Sequence, residues 1–158
     1  MRKVFFSFHY ERDIWRVAQV RNCNVVTKSY QKNEFLDKAQ WETIKRGGDA
    51  AIKRWINAQL NGTSVTIVLI GAETYRRPYV NYEIKQSFIR GNGLLGIYIH
   101  NVKNQFGLTD RQGLNPFDNF RLGRKNLSAY VETYDWVYDF GRNNIQTWIE
   151  RAAIRAGR

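Results

Sequence analysis

Glu83 stands four residues after Tyr79 in PYVNYEI, so on a helix the phenol ring and the carboxylate share one face. A carboxylate in the early turns of a helix that follows a strand-ending loop lies on the side of an α/β sheet where ligands gather. The same residue also reads as a solvated glutamate, stabilised by the helix N-terminus or by Arg76 and Arg77. A second set, Ser7-Phe8-His9-Tyr10, falls at the carboxyl end of an apolar run near the start of the chain. Phe8 or Tyr10 could stack on a base, and Ser7 and His9 could hydrogen-bond to phosphate or ribose; for Phe8, core packing is the plainer alternative. Asp37, Trp41 and Glu42 form a weaker third set, read at the end of a second strand. There Trp41 either stacks on a planar ring or seals a helix against the sheet.

The elements that must position these residues follow from hydrophobic pattern. Lys3-Val-Phe-Phe-Ser-Phe, Thr63–Ile70 and Leu94–Ile99 are strand-like runs, apolar enough to sit centrally in a parallel sheet covered on both faces. The segment Asp13 to Arg21 suits a first helix. Gly47-Gly48 breaks the chain before Asp49, which can cap a helix whose stripe is Ile52, Trp55, Ile56 and Leu60. Pro78 is placed to begin another helix, and Gly91-Asn92-Gly93 to stop it. Asn101 to Ser128 reads as a long loop, Val131 to Phe140 as the region of a last strand, and Asn143 as the cap of a closing helix. The expectation is one domain over residues 1–158, a doubly wound parallel sheet of about five strands.

Composition removes several function classes. Cys23 is the sole cysteine, so no intrachain disulfide forms, and two histidines at wide separation match no short-spaced zinc ligand cluster. A Ser or Cys triad cannot be placed either. The basic start is interrupted by His9 and then by charges, which is not the pattern of a signal peptide, and no run approaches the roughly 20 apolar residues of a membrane span. A cytoplasmic location is expected. With 25 Lys and Arg against 14 Asp and Glu, the formal net charge is +11. These basic residues are dispersed along the chain, which suits solubility and capture of a pyrophosphate ligand better than a duplex footprint; nucleic acid is therefore not the expected partner. A phosphoreceiver would need acidic residues after the first strand and an Asp ending the third, and both are missing. A flavin stacked on Tyr75 or Tyr79 stays open at this level.

Three stretches carry a family likeness. VFFSFHYERD is similar to the opening strand and loop of the TIR-like domains of bacterial anti-phage Thoeris defence proteins. TSVTIVLIGAETYRRPYVNYEI resembles that family's third strand, loop and following helix, and LLGIYIH, with LNPF at Leu114 to Phe117, its next strand and loop. Tyr79 stands where the family usually has a tryptophan. The resemblance implies a flavodoxin-like fold with no resident cofactor or metal and NAD as substrate. It implies Glu83 as the catalytic carboxylate, with Ser7, Phe8, His9, Tyr10, Asp37, Trp41 and Tyr79 around the substrate. The expected reaction breaks the nicotinamide–ribose bond and yields a linear or cyclic ADP-ribose derivative that activates a partner effector, with self-association of the enzyme. A catalytically silent TIR-like interaction module is the competing expectation.

Overall fold

Val4, Phe5 and Phe6 are almost wholly enclosed, as are Val65 and the run from Ile67 to Ile70. Neither face of these strands meets solvent, which requires helices on both sides of the sheet. The computed structural model describes residues 1–158. In chain order its elements are β1 (Lys3–Ser7), α1 (Tyr10–Arg21), α2 (Asn24–Ser29), β2 (Gln31–Lys32), α3 (Lys38–Arg46), α4 (Gly48–Leu60), β3 (Thr63–Ile70), α5 (Pro78–Ile89), β4 (Gly93–Tyr98), β5 (Arg121–Leu122), β6 (Lys125–Asn126), β7 (Thr133–Asp135) and α6 (Gly141–Arg155). Five strands form a parallel sheet in the order β2-β1-β3-β4-β7, and β5 and β6 make a separate antiparallel pair.

The expected central strands β1, β3 and β4 are neighbours and parallel, in a flavodoxin-like arrangement. The β1–β3 pairing slips once, between Lys3 and Val4; from there Val4, Phe5, Phe6 and Ser7 run in step with Val65, Thr66, Ile67 and Val68. Strand alternation then divides the core. Val4 and Phe6 join Val17 and Val20 of α1 and Ile145, Trp148 and Ile149 of α6. Phe5 faces the other way, onto Ile52, Ile56 and Leu60 of α4. On that second face Val80 and Ile84 of α5 pack with Val68, Ile70 and Phe117.

Several boundaries differ from expectation. Helix α1 begins at Tyr10, not Asp13, because the His9 carbonyl already accepts from the Asp13 amide at 3.1 Å, and Glu11 and Asp13 place negative charge in the first turn. Its apolar periodicity starts only at Ile14, which hid this turn. The closing helix starts at Gly141 rather than being capped by Asn143. Phe140 there takes a left-handed conformation, φ 53°, and Gly141 lies so close to the Trp136 ring that a Cβ would collide with it. The stretch from Asn101 to Ser128 is not featureless: it holds a 3-10 turn at Pro116–Asn119 and the β5–β6 hairpin. Asn115 caps that turn by accepting from the Phe117 amide at 2.9 Å, while Phe117 fills the core, so the LNPF motif supports the fold here. No helix is long and apolar enough to cross a membrane.

Candidate active site

A cavity of about 310 Å³ opens at the carboxyl end of β1, between the start of α1, the segment from Asn33 to Lys45, helix α4 and the first turns of α5. Phe8, His9, Tyr10, Trp41, Tyr79 and Glu83 all line it. Ser7 lies directly behind, fully buried, and its hydroxyl donates to Oε1 of Glu83 at 2.8 Å. Asp37 is elsewhere. Its carboxylate caps α3 by accepting from the Gln40 amide at 2.8 Å, and the Gln40 side chain returns a bond to the Asp37 amide at 2.9 Å.

Glu83 is 8% exposed and has no cationic partner. Burial pushes its carboxyl up to about 8, with the Ser7 hydrogen bond pulling weakly the other way. The solvated glutamate held by Arg76 and Arg77 is therefore not what forms. Arg77 instead places Nη1 3.0 Å from Nε2 of His9. Arginine stays protonated and can only donate, so the imidazole accepts at Nε2, is neutral, and carries its proton on Nδ1. Burial first, and then the Arg77 charge, hold the His9 pKa below its usual value.

The cavity wall is a run of aromatic rings. Phe8 lies 6.3 Å from Tyr10, Tyr10 6.2 Å from Trp41, and Trp41 6.1 Å from Trp55, centroid to centroid. Polar handles fix the tyrosines: Tyr10 donates to the Leu36 carbonyl and Tyr79 to Oδ1 of Asp49, each at 2.8 Å. The second bond ties α5 to α4 across the rim. Asn33 closes the opposite side. Strand β2 ends at Lys32, and the Asn33 side chain takes over the ladder, accepting from the Phe6 amide at 2.8 Å and donating to its carbonyl at 3.2 Å. Arg21 holds Asn33 through its carbonyl at 2.8 Å and lies over the Phe6 and Phe35 rings.

Asp37, Trp41 and Glu42 belong to a helix and its cap, and the expectation of a strand end is corrected. The chain leaves the sheet once Asn33 has replaced the ladder, and Asp37-x-x-Gln40 is a helix-start signal that could have been read from the sequence. Trp41 alone of the three lines the cavity; Glu42 pairs with Lys45 at 3.5 Å. Trp55, Lys45 and Arg77 are among the lining residues that escaped sequence reasoning. Trp55 was indistinguishable from the apolar stripe of α4. Lys45, held between Glu11 at 3.6 Å and Glu42, and Arg77 reach the cavity only through tertiary packing.

A second buried carboxylate lies toward the other flank of α1. Asp13 is fully enclosed, and a side chain on Gly71 would collide with its carboxylate. Burial pushes it up to about 6, opposed by Arg16. Arg16 is itself buried and donates to the carbonyls of Val102 at 2.7 Å and Leu108 at 2.9 Å. Arg12 clamps Asp110 with both Nε and Nη2 at 3.0 Å, so the loop that follows β4 closes over this region.

Residues 5–104 match the model of the Thoeris protein ThsB, TIR-like domain. The chain is also 40% identical, over 137 residues, to ThsB1 of Bacillus cereus (strain MSX-D12), across 86% of this chain and 71% of that protein. This chain belongs to the ThsB TIR-like family. The name of the Bacillus relative proposes, for that protein, cyclic ADP-D-ribose synthesis. The span matched to the ThsB TIR-like domain begins within β1, runs through β4 and takes in every residue that lines the cavity.

Proposed function

We propose that this ThsB-family chain consumes NAD, breaking the nicotinamide–ribose bond and closing the ADP-ribose part into a cyclic signal that activates a partner effector in anti-phage defence. The observation that carries this reading is Glu83: a buried carboxylate with no resident cation, at the base of an aromatic cavity. Such a group is costly to ionise in an empty site and well suited to a cationic ligand. The pyridinium ring brings that cation, and aromatic faces such as Trp41 and Tyr10 favour it further. Binding then draws the proton from Glu83.

As the C–N bond breaks, its electron pair leaves with neutral nicotinamide and positive charge grows on the ribose C1′. The Glu83 carboxylate stabilises that charge where it develops, as carboxylates do in glycoside cleavage. A nucleophile of the same ADP-ribose molecule, attacking C1′ and losing its proton, gives the cyclic product; water gives the linear one. The Bacillus relative, named for cyclic ADP-D-ribose synthesis, supports the first. Lys45 and Arg77 supply charge for the pyrophosphate. The working unit extends over residues 1–158, since β7 completes the sheet beside β4 and α6 packs against it, and it acts in the cytoplasm.

The test is incubation with NAD, followed by chromatography and mass analysis of all products, with Glu83→Gln as control under conditions where the wild type is active. Glutamine keeps the size of the side chain and removes the charge. The expected loss in kcat is about 100-fold or more, on the order of 2.7 kcal/mol, with a much smaller change in KM. Turnover by Glu83→Gln close to wild type would move the chemistry to another carboxylate, whereas a wild type that never turns over NAD would return the chain to the silent-module reading.

A further inference from the structure

Ser7 is the last residue of β1, and its backbone is fixed by the pairing of Ser7 with Val68 in β3. Alternation points it, like Phe5 two residues earlier, toward α4 and α5. There it is fully buried, and its hydroxyl meets Oε1 of Glu83 at 2.8 Å. No other protein group hydrogen-bonds to Glu83, and Oε2 is not sealed off within the protein. The hydroxyl's one proton is thus given to Glu83 and not to a phosphate or ribose oxygen, the role that its position at a strand end suggests. We infer that Ser7 is a positioning residue, which holds Oε1 of Glu83 against the end of β1 and leaves Oε2 as the oxygen turned to the ligand.

The inference rests on the role given to Glu83 above and assigns Ser7 a task within it. A glutamate side chain has three rotatable bonds, and in an aromatic cavity few polar groups restrain it. A single donor on a strand removes that freedom before the ligand arrives, which is where a short, rigid, β1-borne hydroxyl is effective. Donation to a carboxylate also favours its charged form, so the same bond eases ionisation of Glu83 in a buried setting.

Ser7→Ala removes one oxygen and adds no atom, and Ser7→Gly removes the whole side chain; both lack the hydroxyl, and either one decides. The full chain, labelled with 13C at glutamate carboxyls, is titrated by NMR without substrate, and turnover of NAD is measured across pH. Loss of the hydroxyl should move the Glu83 midpoint upward by about one unit, lower kcat near neutral pH about 10-fold, and leave KM nearly unchanged. The acid limb of the kcat/KM profile, which reports the free enzyme, should move by the same amount, so that activity recovers at higher pH. An unchanged Glu83 midpoint overturns the inference. So does a rise in KM at constant kcat, which would make Ser7 a substrate contact. The titration is read without turnover, so a Glu83→Gln enzyme that remains active would remove Glu83 from the chemistry while leaving the Ser7 to Glu83 link decided separately.

Discussion

Two carboxylates lie buried at the carboxyl end of the sheet, and their surroundings differ in kind. Asp13 is sealed beneath the loop that follows β4, close to Arg16 and behind the Arg12 to Asp110 clamp. Glu83 is as deeply placed but opens on a cavity and has one hydroxyl for company. Burial raises both, to about 6 and about 8 respectively. Arg16 and Arg12 act on the first through space, although neither of its oxygens has a hydrogen-bond partner; no cation pairs with the second, and Lys45 and Arg77 only line its cavity. A protein retains an uncompensated buried carboxylate where something else is to supply the opposite charge, and that separates a structural acid from one awaiting a ligand.

The largest effect on stability should come from removing the cation on the sealed side. Arg16→Ala leaves the Val102 and Leu108 carbonyls without their donor and Asp13 without the cation that acts on it most strongly. The expected cost is about 4 kcal/mol in denaturant unfolding at neutral pH. A change below about 1 kcal/mol would remove the distinction between the two carboxylates.

Glu83→Gln should act in the opposite sense and with pH. Below about pH 4.5 the Glu83 carboxyl is neutral in both folded and unfolded chains, so it adds no penalty. Between there and about pH 8 the unfolded chain has released its proton while the folded chain keeps it, so wild-type stability falls as pH rises. Glutamine does not titrate. The stability of Glu83→Gln relative to wild type should therefore climb from pH 5 to pH 8 by on the order of 3 kcal/mol, read as a growing difference in melting temperature. A constant difference would mean that Glu83 is not held neutral by burial.

The smallest effect belongs to Asp37. Asp37→Ala removes the cap of α3 and should cost about 1 kcal/mol, with KM for NAD within about twofold of wild type. A large rise in KM would bring Asp37 back to the ligand, in the role that its place in the family pattern suggests.

The sheet was legible because β1, β3 and β4 are apolar on both faces and bounded by clear breaks, and α5 because Pro78 opens it. The convergence of Phe8, His9, Tyr10, Tyr79 and Glu83 on one cavity follows from placing two strand ends and one helix start at the same edge of a parallel sheet. What stayed hidden depends on contacts distant in sequence. The Arg77 to His9 bond, which turns Arg77 away from Glu83, joins residues 68 apart. Arg16 meets the carbonyl of Val102, 86 residues on. Asn33 continues a ladder that no strand propensity would assign to it, and the segment after it was illegible because its second strand is only two residues long.

The single slip between β1 and β3, placed before Val4, bears on how such a chain can change over descent. From Val4 to Ser7 the two strands run in step, so inserting or deleting one residue there would swing the hydroxyl of Ser7 to the face of α1 and α6 and exchange it with a core position. Ahead of Val4 an extra residue meets an irregularity that already exists and can be absorbed. Lineages descending from this sequence can therefore alter the cavity by replacing side chains, and can lengthen the chain ahead of β1, but the four-residue ladder from Val4 to Ser7 admits no change of length without unmaking the pairing of Ser7 with Glu83.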